Sequence, residues 1–195
     1  MDLWDARTKA SIALGGQMAA EASLIQEAFD LIDDCLTRLE TKNTDFSRVC
    51  GITLIKARNL GLGCYSLCLD ALAQEAGALL RPLIEALELL TYFRLDPSRI
   101  TQAMEDRLPS AGQRARMIGG QLKQVRDYLN STASHVGWTY ESIRHLVDLS
   151  KPSYRVQQQF RAPVLRTNLR VLFDILLTRL RLRPTRHEEK TPSER

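Results

Sequence analysis

The sequence contains three histidines, His135, His145 and His187, and histidine is the side chain best placed for proton transfer near neutral pH. His187 falls in a polar C-terminal stretch, and His145 sits beside Arg144 at a surface or boundary position. His135 stands apart, closing the segment Asn130-Ser131-Thr132-Ala133-Ser134-His135 at the end of a helical pattern, with Arg126 and Tyr128 upstream. A protonated imidazole there gains from the negative end of the helix dipole. Two roles stay open for His135: a cap or cross-bundle hydrogen bond, or a proton-transfer group.

Arg81 and Glu85 form a second constellation, four residues apart on one helix face within the apolar segment Leu80–Leu87. Burying an ion pair costs several kcal/mol per ion unless geometry and further partners offset it. The pair therefore reads either as a bridge that locks a helical bundle or as part of a polar pocket. Cys64 and Cys68 are one helical turn apart, a spacing open to a metal. Together with Cys35 and Cys50 they fall among apolar positions and read better as small buried hydrophobes. No phosphate-cradling glycine loop, nucleophile elbow, paired-cysteine zinc pattern or His-Glu-x-x-His is present, so no metal or cofactor is expected.

These groups need a scaffold, and the composition says which kind. The 195 residues are 44% hydrophobic and 26% charged, a globular balance, while aromatics at 6% are thin for a β-sandwich or barrel. The net charge of +4 conceals an asymmetry: residues 1–150 hold 16 basic and 19 acidic side chains, residues 151–195 hold 11 and 4. Arginine outnumbers lysine by 21 to 6. A phosphate-binding face accounts for that excess, and so does a GC-rich coding genome. No stretch approaches the ~18 apolar residues of a membrane span, and the start Met1-Asp2-Leu3-Trp4-Asp5 lacks the order of a signal peptide. A cytoplasmic protein with reduced cysteines is the expectation.

Periodicity then places the elements. Ile25, Phe29, Ile32, Leu36 and Leu39 repeat as one face of a helix reaching back towards Ser11, with a weak point at Gly15-Gly16. Residues 41–45 break the pattern and offer caps. The apolar run from Phe46 to Phe93 would span roughly 72 Å as one helix. It is therefore expected to fold back near Asp70–Gln74, with a kink or late start at Pro82. A short helix follows Asp96-Pro97-Ser98. Ile118, Leu122, Val125 and Leu129 predict a core-facing helix ending near Gly137, and the glycines at 61, 63, 119 and 120 read as packing positions within helices. Thr139 to Ser150 reads as a shorter helix. Pro163 to Leu182 forms the last one, with Leu165, Leu169, Leu172, Leu176 and Leu180 on one side. The prediction is an all-α fold, a single bundle of six or seven helices over residues 1–183 with a polar, disordered tail at 184–195.

The order of features resembles the HEPN superfamily of helical bundles, in particular a branch of uncharacterised bacterial proteins. The resemblance covers roughly residues 50 to 140 and rests on Arg81, Glu85, Tyr92, Asp96-Pro97, Tyr128, Asn130, Ser134 and His135. It implies a metal-independent endoribonuclease or RNA binder of a bacterial defence or toxin–antitoxin system, with a site formed across a homodimer. The family motif is an Arg, often followed by Asn, with His four to six residues on. Asn130 and His135 match it, and Leu129 stands where the Arg is expected. Arg126 or Arg81 would then supply that charge in space, or the site binds without cutting. In the cutting version His135 moves the proton, an Arg neutralises the transition state, and Asn130, Tyr128, Ser134 and Glu85 complete the site. The basic last helix, with Arg166 and Arg170, would add sequence-independent affinity for the RNA backbone. Two alternatives stand beside it. One is a non-catalytic module that dimerises or docks on a helical protein partner, with a structural Arg–Glu–His network; the other is a small-ligand binder anchored on Arg81.

Overall fold

The apolar run from Phe46 to Phe93 becomes an antiparallel pair of helices in the computed structural model, which describes residues 4–120, 122–133, 143, 146–148, 153–154 and 159–180. In chain order the helices are α1 (Asp5–Gly15), α2 (Ala19–Glu40), α3 (Asp45–Leu69), α4 (Ala73–Leu95), α5 (Ile100–Met104), α6 (Ala111–Met117), α7 (Lys123–Thr132) and α8 (Ala162–Leu180). A 3-10 turn at Pro97–Arg99 leads into α5. With 80% helix over the described residues, the chain is an all-α bundle.

Local chemistry explains most of the boundaries. Thr44 and Ser47 form a reciprocal capping box at the start of α3, each side chain accepting from the other's backbone N–H at 3.1 and 3.0 Å. Ser110 and Gln113 repeat the device on α6. Asp96 caps the 3-10 turn by accepting from the Ser98 N–H. Pro82 neither starts nor ends a helix: α4 begins nine residues earlier and runs through it. The long helix expected from Ser11 onward is interrupted after Gly15, giving α1 and α2.

Three helices stop in the same way. After α3 the N–H of Leu72 reaches back to the carbonyl of Leu67 and that of Ala71 to Cys68, with Ala71 at φ +60°. After α5 the pairs are Arg107 to Gln102 and Asp106 to Ala103, with Asp106 at φ +50°. After α6 they are Gly120 to Ala115 and Gly119 to Arg116, with Gly119 at φ +89°. Each is a Schellman stop, which needs one left-handed residue. Gly119 is thus a termination signal and not a packing glycine, and it divides the helix expected through Ile118 and Leu129 into α6 and α7. Ala71 occupies a left-handed position that disfavours a Cβ, so Ala71→Gly is expected to stabilise the fold by about 1 kcal/mol in urea denaturation.

The core has two parts. The larger is built from Ile25, Phe29, Ile32, Leu54, Ala57, Leu83, Ile84, Leu87, Leu129, Leu165, Leu169, Leu172 and Leu176, with α1 laid over α2 and α3 through Ala6, Ala10 and Ala13. The smaller gathers Cys50, Tyr92, Phe93, Ile100 and Ile118 where α4 meets α5 and α6. Inter-helix ion pairs brace the first part. Arg7 grips both carboxylate oxygens of Asp70 at 2.6 Å and the Ser66 hydroxyl at 2.7 Å, tying α1 to the end of α3. Arg58 grips Asp33 at 2.6 and 3.0 Å, tying α3 to α2.

Two expectations for the C-terminal third need correction or lie outside the described residues. Val147–Asp148 and Ser153–Tyr154 pair as a two-residue antiparallel ribbon, so the expected helix to Ser150 does not reach that far. The last helix begins at Ala162, and the tail at 184–195 lies outside the described residues. No helix among the described residues is long and apolar enough to cross a membrane.

Candidate functional site

α4 carries the first pair of candidates on its half-buried side. Arg81 Nε lies 3.2 Å from Glu85 Oε1, with the two side chains 39% and 30% exposed. The sequence placed this pair in the most apolar stretch and allowed it deep burial. Instead the helix rotates it to the rim of the bundle, because positions 83, 84, 87 and 88 take the inner face. An exposed i,i+4 pair contributes only about 0.3–0.5 kcal/mol. Arg81→Ala is therefore expected to change stability by less than about 1 kcal/mol, read from a denaturation midpoint at unchanged slope.

The buried ionic group is one turn further on and was missed. Glu88 is 1% exposed, and its Oε2 accepts from Arg126 Nη1 of α7 at 3.0 Å. Arg126 is itself 14% exposed. The sequence did contain a signal: Glu88 interrupts Leu87 and Leu89 at the i+4 position from Ile84, so it lies on the stripe that must face inward. What spacing alone could not supply was its partner, 38 residues away on another helix.

α7 extends this polar seam. Asn130, one turn after Arg126, has its Oδ1 buried without a hydrogen-bond partner, and Arg126 Nε is buried without one as well. The helix lies close on α4: a Cβ built on Gly77 would come within 2.9 Å of the Ala133 Cβ, so only glycine fits at 77 without moving the α7 backbone. Leu129 points into the main core at 5% exposure. A guanidinium at that position would have to be buried among apolar side chains of the main core. Tyr128, on the opposite side of α7, is 63% exposed. Ser134 and His135, as well as His145 and His187, lie outside the described residues.

Arg166 and Arg170 belong to a different place. Both reach Glu21 at the start of α2, at 2.9 and 3.3 Å, and Arg166 also donates to the backbone carbonyl of Gln17 at 3.1 Å. The Glu21 carboxyl is held below the ordinary carboxylate range, first by its own backbone N–H, against an upward push from desolvation, with the Arg166 and Arg170 charges adding smaller pulls downward. Thus the structure brings together Arg126, Asn130 and the overlooked Glu88 across α4 and α7, with Arg81–Glu85 on the neighbouring turns of α4. It places Arg166 and Arg170 on a separate acidic partner.

The cysteines are free, and three of them are buried. Burial pushes the Cys64 and Cys68 thiols up to about 12 and Cys50 to about 11, so these side chains are neutral thiols at pH 7. Among the described residues no cluster of three or more His, Cys, Asp or Glu side chains is arranged to hold a metal ion. Set beside known protein-family models, characterised proteins and solved structures, the chain matches none.

Proposed function

We propose that this chain is a non-catalytic, HEPN-like interaction module that dimerises or docks on a helical partner, with its polar centre serving to hold α7 against α4. The observation that carries this is the commitment of Arg126 to Glu88. The Arg126 side chain is itself 14% exposed and bound to a carboxylate at 1% exposure, so turning to a phosphate would break a buried ion pair. Arg81, Arg166 and Arg170 likewise sit in ion pairs. A surface for association is available on α3, where Ile52, Ile55 and Leu62 share one helix face at 68%, 46% and 37% exposure.

The observation that favours RNA instead is the exposure of Arg81 on α4 and Tyr128 on α7, at 39% and 63%. A base would stack on the tyrosine, and the outer edge of the Arg81 guanidinium would meet a phosphate. That would be a binder or metal-independent endoribonuclease of bacterial defence, as the family resemblance implies.

One pair of measurements separates the two. Light scattering on the purified chain is expected to return a mass near twice 22.1 kDa, or the monomer mass with a discrete protein complex on co-purification. Titration with single-stranded RNA at about 50 mM salt is expected to show no binding; binding that weakens steeply towards about 200 mM salt and is lost in Arg81→Ala would establish the RNA reading in its place.

A further inference from the structure

We infer that α7 opens from α4 as one unit, hinged at Gly119–Gly120, while the rest of the bundle stays folded. Three independent observations meet here. The hinge is built from two consecutive left-handed glycines at φ +89° and +59°, and around Gly119 there is open space within 4 Å of a Cβ position. The packing of α7 is narrow: among the described residues its extensive helix contact is with α4, where Leu129 and Ala133 lie against Gly77, and Leu122 and Val125 are only partly buried against the main core. And the seam is chemically unfinished. Arg126 Nε and Asn130 Oδ1 are buried without hydrogen-bond partners, each losing in the closed state the water it would bind when open.

A helix held, among the described residues, by few apolar side chains and carrying unmet polar groups has a low local opening free energy. Opening would hydrate Arg126 and Asn130, part the Arg126–Glu88 pair and uncover Gly77, against which Leu129 and Ala133 pack. The seam then alternates between a closed, ion-paired state and an open, hydrated one. This holds whether the chain meets a protein or an RNA, since it follows from the seam itself.

The test is native-state hydrogen exchange on the full chain at low denaturant. Amides of residues 126–133 are expected to exchange together, at least about tenfold faster than those in the middle of α3 and α4, and with a shared denaturant slope that is measurable but smaller than that of global unfolding. Asn130→Ala, which removes the unmet acceptor, is expected to slow the α7 set by about tenfold and leave α4 unchanged. Ser131→Ala, at the exposed neighbouring position, reports the gain in helix propensity alone and should slow it only about twofold. Exchange of α7 at the same rate as α4 would overturn the proposal. Equal effects of the two alanine variants would overturn the role assigned to the unmet seam.

Discussion

Arg126→Ala is expected to cost about 3–5 kcal/mol of folding stability, measured by chemical denaturation with circular dichroism. The variant removes the guanidinium that donates at 3.0 Å to a 1% exposed carboxylate, so a buried charge loses a charged partner. Removing both charges is a different experiment. Arg126→Met with Glu88→Leu fills similar volume with apolar atoms and is expected to recover most of the loss, or to exceed the wild type. A loss under about 1 kcal/mol in Arg126→Ala would mean that Arg126 is not the contact that holds the Glu88 carboxylate in the interior. The contrast with Arg81→Ala is the diagnostic: two Arg–Glu pairs whose glutamates lie one turn apart on α4 are expected to differ several-fold in their stability effects, because one lies at the rim and the other in the interior.

Phe93→Ala is expected to cost about 3–5 kcal/mol, as a phenyl ring at 0% exposure leaves a cavity its neighbours cannot close. The second core is small, so each member matters. Tyr92 packs beside Phe93 with ring centroids 6.0 Å apart, its hydroxyl donates to Gln102 at 2.8 Å, and the Arg99 guanidinium stacks 4.3 Å from the Tyr92 ring. These contacts knit the end of α4 to α5, and losing Phe93 loosens them together. Phe46, packed at the edge of the same cluster and only partly buried, is the control: Phe46→Ala is expected to cost visibly less. Equal costs for the two would show that the second core does not pack as a unit.

Helix content, the fold-back near Asp70–Gln74 and the apolar faces of α2, α3, α4 and α8 were legible because hydrophobic periodicity and capping residues act within a few positions of one another. The stops were legible only in part. Glycine at 119 can be recognised as a helix terminator, although its setting between Ile118 and Leu122 argued for an uninterrupted helix. Ala71 and Asp106 give no such hint, since the left-handed conformation they adopt is imposed by the hydrogen bonds that close α3 and α5.

The candidate site was legible in its ingredients but not in its pairing. Arg126 and Asn130 stand out by residue type, and their separation of four places them on one face of α7. That Arg126 meets Glu88 and not Glu85 depends on how α4 is rotated in the bundle. Rotation is set by the whole apolar stripe of that helix and by the close approach of Gly77 to Ala133. Charge was misleading in the same way, for the basic surplus of the last quarter suggests a free cationic face, whereas Arg166 and Arg170 are turned to Glu21, some 145 residues earlier in the chain.

By itself, then, the sequence determined that this chain is helical and that it carries arginine and carboxylate groups able to do ionic chemistry, since those are matters of side-chain type and short-range period. Which of those charges are spent on one another was decided only by the tertiary structure, because an ion pair depends on distance and burial, and both are properties of the packed bundle rather than of any segment within it.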